Sequence, residues 1–550
     1  MHIDSSTIKR KHGQEYTRHL LRESYREGRK VKKRTIANLS HCSDVEIAAI
    51  KLALRHKHSL LEVGTLTQDV EIQQGTSFGA TYIINSIADR LGVSKALGSS
   101  REGKLALWQV IARVMSQGSR LSAVRLAEHH NAAAILGLDS FNEDHLYQNL
   151  DWLSDHQEDI ERSLFKFRHG DGTEFFLYDI TSSYLEGTKN ELADWGYNRD
   201  KKNGKMQIVV GLLCDSHGLP VSIEVFEGST SDCSTVKGQL DKIAKRWNCP
   251  SITMVGDKGM LQGPQIEEIE TSGYSFITTI RKSQIEPLVV SAGYQTTLID
   301  ENLLEIIEGQ YRYVFRRNPV QAELSKEKRQ TLIQVIAEKV RTENIYLGEH
   351  PKANPEKALE RVTYKIEKFK LQKILSVRVI GEQRMLELSI DEAAVEEEAR
   401  LDGCYAMKSN ISIDKMPKED LHEKYKELAL VEDAFRCSKT ELLEMRPVHV
   451  RLEKRTRGHV FVVMLAYLVV KELERCWKLL DMTVEEALDV LKAFQTIDLK
   501  VKDHAVVKKV PKPNKMTAQL FKMANVPIPE EIPSSDAKVV TRKKIGEDRK

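Results

Sequence analysis

Cysteine is sparse and badly placed for chemistry: seven residues in 550, with no C-x-x-C pair and no histidine pair nearby at zinc spacing. That excludes a disulfide frame and a zinc site, and leaves Cys42, Cys214, Cys233, Cys249, Cys404, Cys437 and Cys476 as reduced, mostly packed thiols. Long apolar runs are missing too. The strongest, Val460 to Val470, ends against Lys471 and Glu472 and falls well short of the roughly 20 residues a bilayer crossing needs. The N-terminal MHIDSSTIKRKHGQEY is basic without an apolar h-region, so neither a membrane span nor secretion is expected, and a cytosolic place is. Net charge, at +3, names no partner by itself.

The charge that is there is unevenly spread. Residues 1–40 hold 11 Lys/Arg against 4 Asp/Glu and residues 501–550 hold 12 against 6, so the ends carry +13 and the middle −10. Basic ends around an acidic middle suit a protein that grips phosphates at its periphery and keeps carboxylates for another purpose. Solvated charged tails would give the same pattern. With 41% hydrophobic residues over this length, roughly three or four structural units are expected.

From Tyr16 to Asn38 two mixed apolar and basic runs flank Glu27-Gly28, a hairpin signal with basic side chains on one face. From about Val45 to Phe167 apolar residues recur at three- and four-residue steps and predict a mostly helical domain. After Gly170 the runs FFLYDITSSYL, KMQIVVGLLCD, LPVSIEVFEG, SITMVGD and YSFITTI predict strands, with a helix over Asp232–Trp247 between the third and fourth. The resulting order, three strands beginning antiparallel, then helix, strand, helix, strand, resembles the ribonuclease H-like α/β fold and fits other mixed sheets as well. Residues 285–400 mix strand-like segments such as YQTTLID and VTYKIEKF with one charged helix, and read as a β-rich insertion. Helical pattern returns over Lys418–Glu444 and Gly458–Trp477, and the last forty residues, with five of the fourteen prolines, read as extended or disordered. The boundaries that follow are a basic segment 1–44; a helical DNA-binding or assembly domain 45–168; a first part of the core 169–284; the insertion 285–400; a second part of the core 401–480; and a C-terminal helix with a basic, proline-containing tail 481–550.

Asp179 interrupts an apolar strand, where an ionised side chain is costly unless it is paired or binds a cation, and Asp257 ends a second such strand. Taken singly, each reads as a turn-forming or salt-bridged aspartate. Taken as a pair in this element order they read as metal ligands, and two divalent ions acting on a phosphodiester require a third acid. On the helix around Leu428, Tyr425, Glu432, Arg436 and Lys439 recur with it at three- and four-residue steps and share one face, so Glu432 supplies that acid.

The spacing Tyr425, Glu432, Lys439 is similar to the Tyr-Arg-Glu-Lys signature of bacterial insertion-sequence transposases in the IS-four superfamily. Gly196-Tyr-Asn-Arg-Asp200 with Gln207, Gly256-Asp-Lys-Gly259, Leu401-Asp-Gly-Cys-Tyr405, Arg446-Pro447 and Arg457-Gly-His459 resemble its IS-sixteen-thirty-four branch. The resemblance spans most of the chain. It implies a ribonuclease H-like core with Asp179, Asp257 and Glu432 as catalytic and metal-binding residues, Mg²⁺ as cofactor with Mn²⁺ as substitute, and cutting and joining of transposon ends. It also implies double-stranded DNA as partner, both terminal inverted repeats and target, a homodimer or larger assembly on that DNA, and a cytoplasmic, nucleoid-associated location.

The signature's arginine is Leu428 here, so its DNA contact does not carry over. Tyr425, Arg436 and Lys439 remain DNA-binding candidates, against a half-buried aromatic, a salt bridge from Arg436 to Glu432 and a solvated lysine. Glu227 is the reserve ligand, Glu224 a salt-bridge partner, and Gly98–Leu105, a near phosphate loop without its Ser/Thr, a turn between helices. His129-His130 and His41-Cys42 lack partners at metal spacing. Two rival readings stand beside the transposase: a decayed one that only binds DNA, which Leu428 favours, and a nuclease of the same fold that does not join.

Overall fold

The change of hydrophobic period near Gly170 is where the chain changes architecture. The computed structural model describes all residues except 10–14, 29, 56–69, 171–173, 248, 250, 295–298, 300–301, 382–383, 440–441, 447, 502–503, 534, 536 and 542–550. They form two compact units, one of Met1–Thr76, Gln495–Lys512 and Pro529–Ile532, the other of the remainder.

In the first unit β1 (His2–Lys9), β2 (Glu15–Glu27) and β3 (Lys30–Asn38) make an antiparallel meander. The expected hairpin at Glu27-Gly28 is present, with Gly28 at φ +59°, a left-handed conformation that glycine adopts without a Cβ penalty. Almost every side chain of β3 is exposed, its lysines included. Helix Asp44–Arg55 follows, then β4 (Val70–Ser77).

The second unit begins with the expected helices, chiefly Gly79–Arg90, Arg101–Met115, Arg120–His129 and Glu143–His169. Asn142 caps the last by accepting from the Asp144 and His145 amides. Gly98–Leu105 is the expected turn into a helix, with Ser100 as its cap. Then come β5 (Phe175–Tyr184), β6 (Gln207–Cys214) and β7 (Pro220–Phe226), helix Val236–Arg246, β8 (Thr253–Val255), helix Gly263–Thr271 and β9 (Ser275–Thr279). β5, β6 and β7 are antiparallel, whereas β8 and β9 run parallel to β5, in the spatial order β7-β6-β5-β8-β9. Alternate residues of β5 point to opposite faces. Phe176, Tyr178 and Ile180 enter one core, where Phe165 and Trp247 stack at 4.6 Å. Leu177, Asp179 and Thr181 take the other face, against helix Leu428–Lys439.

Residues 285–400 correct the expectation of a β-rich insertion. β10 (Leu304–Glu308) and β11 (Tyr311–Arg317) leave the insertion and extend the main sheet. Helices Pro319–Glu349, Pro355–Lys368 and Glu392–Arg400 then outweigh the single hairpin of β12 (Leu375–Ile380) and β13 (Met385–Ile390). VTYKIEKF, which reads as strand-like, lies on helix Pro355–Lys368 and its C-cap because Ala358, Val362 and Ile366 stand four residues apart and bury one stripe. YQTTLID falls largely outside the described residues. β14 (Cys404–Ser409) joins β9 to β11, completing eight strands in the order β10-β11-β14-β9-β8-β5-β6-β7.

The apolar run Val460–Val470 is the middle of helix Glu453–Trp477, which is buried on nearly every side, as an all-round apolar helix inside a protein should be. No helix among the described residues is long and apolar enough to cross a membrane. After helix Val484–Lys492, β15 (Gln495–Val501) pairs with β4 on one side and with β16 (His504–Lys509) on the other, in the first unit. The last forty residues contain helix Lys515–Met523, where an extended segment was expected. Pro511 and Pro513 precede its Asn514 cap and Pro527 follows its end, so the prolines bracket the helix without interrupting it, while Leu520 and Phe521 anchor it.

Candidate active site

The register of three parallel strands builds the site. Leu177 of β5 lies opposite Val255 of β8, and Val255 opposite Ile277 of β9. Two residues further along each strand direction stand Asp179 in mid-β5, Asp257 just past the end of β8 and Thr279 at the end of β9, so the register brings the three to one level at the C-terminal edge of β8 and β9. In open α/β sheets that edge is where ligands bind. Asp179 Oδ1 accepts the Ile180 amide at 2.8 Å, and Asp257 Oδ1 accepts the Gly259 and Met260 amides at 2.9 and 3.0 Å. Both carboxylates are thereby anchored by backbone.

Glu432 reaches the row from helix Leu428–Lys439, which packs on β5. Burial, and then the negative charges of Asp257 and Glu432, push the Asp179 carboxyl up to about 7 against the pull of the Ile180 amide and Arg199. Tyr425, at the end of helix Lys418–Lys426, is half-buried, with its hydroxyl 3.3 Å from Thr279 Oγ1. Burial raises its pKa, and the charges of Asp257, Glu432 and Asp179 add to the effect. The two helices turn at Glu427, whose carbonyl accepts the Leu430 amide at 2.9 Å. Tyr425 and Glu432 thus lie on either side of a break in what the sequence presents as one helical face.

These acids suit divalent metal. Asp257 and Glu432 lie close enough for their charges to raise the proton affinity of Asp179, and such like charges repel until a cation neutralises them. Among the described residues no group of three or more His, Cys, Asp or Glu closes around a single ion.

A second, cationic layer lies further along β5. Lys439 is 8% exposed, its ammonium 3.0 Å from Thr181 Oγ1 and 2.5 Å from Asp200. Asp200 also pairs with Arg446 and accepts the Tyr184 amide at 3.0 Å. Lys439 is therefore neither a solvated lysine nor an open contact surface; it ties the Glu432 helix to β5. Arg199 binds both oxygens of Asp232 at 2.6–2.7 Å, and the Asp232 and Asp257 carboxylates both lie beside Gly259. Arg199, Asp200, Asp232 and Arg446 are site residues that the sequence reading did not single out. The signal was present, since Arg199, Asp200 and Arg446 belong to the family-like stretches Gly196–Asp200 and Arg446-Pro447.

Of the other candidates, Arg436 is exposed and pairs with Asp433 at 2.5 Å. Leu428 is buried at the signature's arginine position. Glu227 is exposed at the exit of β7, two strands from β5, and is not gathered with the acids. Glu224 pairs with Lys242 and Arg457, as a salt-bridge partner.

Acids brought together on central strands, a third on a covering helix and cations behind them are the groups that phosphate chemistry at a metal would need. A family model described as Transposase DDE domain matches residues 170–469, more than half of the chain and all three acids, and one described as IS1634 family transposase, N-terminal domain, matches residues 3–62. The chain belongs to the DDE transposases of insertion sequences, in the IS1634 family. A solved structure, the piggyBac transposase synaptic complex with hairpin DNA, matches with a TM-score of 0.31 and 9% identity, over 68% of this chain. The match spans 57% of that neighbour's length. No curated protein matches the chain significantly.

Proposed function

We propose that this chain cuts the ends of its own element and joins the freed 3′-hydroxyls to target DNA, with Asp179, Asp257 and Glu432 as the catalytic carboxylates. The observation that carries the reading is the shared level of Asp179 and Asp257 on parallel neighbours, with Glu432 near enough to raise the Asp179 pKa. The order β7-β6-β5-β8-β9, three antiparallel strands followed by two parallel ones, supports a ribonuclease H-like core. The three carboxylates would hold two Mg²⁺ ions, or Mn²⁺ in their place. Bound there, such ions supply activation of an attacking oxygen and neutralisation of the leaving one.

The chain's own groups have distinct tasks. Backbone amides hold Asp179 and Asp257 with their outer oxygens free for ligation. Thr279 orients the Tyr425 hydroxyl beside the acids, where it can donate to a phosphate oxygen. Arg436 can exchange Asp433 for a DNA phosphate, whereas Lys439 is a positioning residue acting through Asp200 and Thr181. Joining two ends requires two sites, so a homodimer or larger assembly on DNA belongs to the same proposal.

The test is purified protein with a plasmid carrying the gene's native flanking DNA, in Mg²⁺ or EDTA, beside Asp179→Asn, Asp257→Asn and Glu432→Gln. Metal-dependent cuts at the element's ends and joined products are expected, with a loss of at least about 10³-fold in each variant. End binding with no cutting would instead select the decayed binder that Leu428 favours, and cutting without joining would select a nuclease.

A further inference from the structure

A cavity of about 290 Å³ opens beside the carboxylate row, and its wall is basic. Lys258, the residue after Asp257, Arg281 from the turn beyond β9 and Lys408 from β14 all line it, and none of its lining residues is acidic. Among the described residues, none of the three cations forms an ion pair with a carboxylate. The Lys408 ammonium rests 3.6 Å over the Tyr311 ring, which fixes its position, and it feels the charges of Glu270 and Glu308 without pairing with either.

Two further features point into the same space. Thr278, 1% exposed and in the cavity wall, has a hydroxyl oxygen with no hydrogen-bond partner. A buried polar group left in that condition is costly, and such groups are rare. Gln262 and Gly263, at the start of helix Gly263–Thr271, also line the cavity, and Gln262 gives the first amides no side-chain cap. A helix start of this kind favours an anion. Lys258 and Arg281 without ion-pair partners, Lys408 beside them, an uncapped helix start and a buried hydroxyl all suit one thing: a compact anion with several acceptor oxygens.

We propose that this cavity holds a backbone phosphate of the DNA strand, flanking the phosphodiester that lies at Asp179, Asp257 and Glu432. The proposal rests on the DNA-processing reading above. It adds Lys258, Thr278, Arg281 and Lys408 as the residues that set where along the strand the cut falls. The cavity lies at the same edge of the sheet as the row, since Lys258 follows Asp257 and Thr279, which meets Tyr425, also lines it, whereas Thr278 and Lys408 enter it from the opposite face of β9 and β14.

The test uses the full chain in EDTA, which prevents cutting, with a labelled duplex of the gene's flanking sequence read by fluorescence anisotropy at rising salt. Losing two phosphate contacts in Lys258→Gln/Arg281→Gln should lower the log–log salt slope by about two and weaken binding about 30-fold near 0.15 M salt. Thr278→Val, which changes no charge, should weaken binding about 5- to 10-fold at every salt concentration with the slope unchanged and the Tm unchanged or higher. A wild-type slope in the double variant overturns the proposal. So does Thr278→Val binding like wild type, which would leave the cations on an open surface path. Inorganic phosphate that raises the Tm of the wild type but not of the double variant, while their DNA slopes stay equal, would assign the cavity to a free anion and overturn the DNA assignment. Normal slope changes in a chain that never cuts in Mg²⁺ would sink the nuclease reading and leave the subsite standing. A wild-type chain that fails to bind the duplex at low salt overturns both.

Discussion

Asp179 shows how one residue can carry cost and purpose together. Its carboxyl is ordinary at 3.8 in water and is held at about 7 in the fold by burial and by its two acidic neighbours. Below about pH 4 it is neutral in both states and costs nothing. As pH rises from about 4 to 7 the unfolded chain releases a proton that the folded chain keeps, so stability falls, and above about 7 the whole cost, at most about 4 kcal/mol, is present. Asp179→Asn should therefore be more stable than wild type in EDTA, by a margin that grows by a few kcal/mol between about pH 4.5 and pH 8 in urea titrations. A margin independent of pH would show that neither burial nor its acidic neighbours raise the Asp179 carboxyl. Adding Mg²⁺ should narrow the margin at pH 8, because only the wild type has all three ligands for the ion to stabilise.

At the scale of elements, the buried helix Glu453–Trp477 holds the second unit together through one close crossing. A Cβ on Gly458 would lie 2.1 Å from the Leu150 carbonyl oxygen of helix Glu143–His169, and a backbone atom cannot step aside cheaply. Gly458→Ala should destabilise the protein by at least about 2 kcal/mol and lower its Tm by several degrees despite alanine's better helix propensity. A Tm at or above wild type would mean that the crossing is looser than described. Elements with strong period were legible in the sequence: the N-terminal hairpin, the helices from Gly79 to His169, and β5 to β9 with the helices between them. Those decided by long-range partners were not. β15 carries no signal that it pairs with β4 more than 400 residues earlier, and Val362 and Ile366 are β-branched residues that read as strand until their four-residue spacing is weighed.

At the scale of the molecule, the charge asymmetry acquires a location. The basic N-terminal residues form the β1-β2-β3 sheet, with the β3 side chains almost entirely exposed. Some of that charge is met locally, since Lys32 pairs with Glu27 and Arg34 with Glu23. Lys30 and Lys33 are exposed on the same strand. If the sheet lies along DNA, Lys30→Gln/Lys33→Gln should lower the salt slope of binding by about two without altering Tm. An unchanged slope would make this sheet a solvated basic surface and move DNA recognition elsewhere in the chain.

The sequence by itself determined the type of most elements, the acids worth watching and the family, because those depend on local period, on isolated charges in apolar strands and on motif spacing. The tertiary structure decided what brings them together. Asp179 and Asp257 share a level because β8 runs parallel to β5 in a register offset that no local pattern encodes. Lys439 turns inward because Asp200, 239 positions earlier in the chain, waits at β5 to pair with it. The basic cavity beside Asp257 exists because β9 and β14, separated by the whole insertion, are hydrogen-bonded neighbours that bring Arg281 and Lys408 to one wall. Period and composition are short-range quantities, whereas register and charge pairing are long-range ones, and the candidate site is built from the second kind.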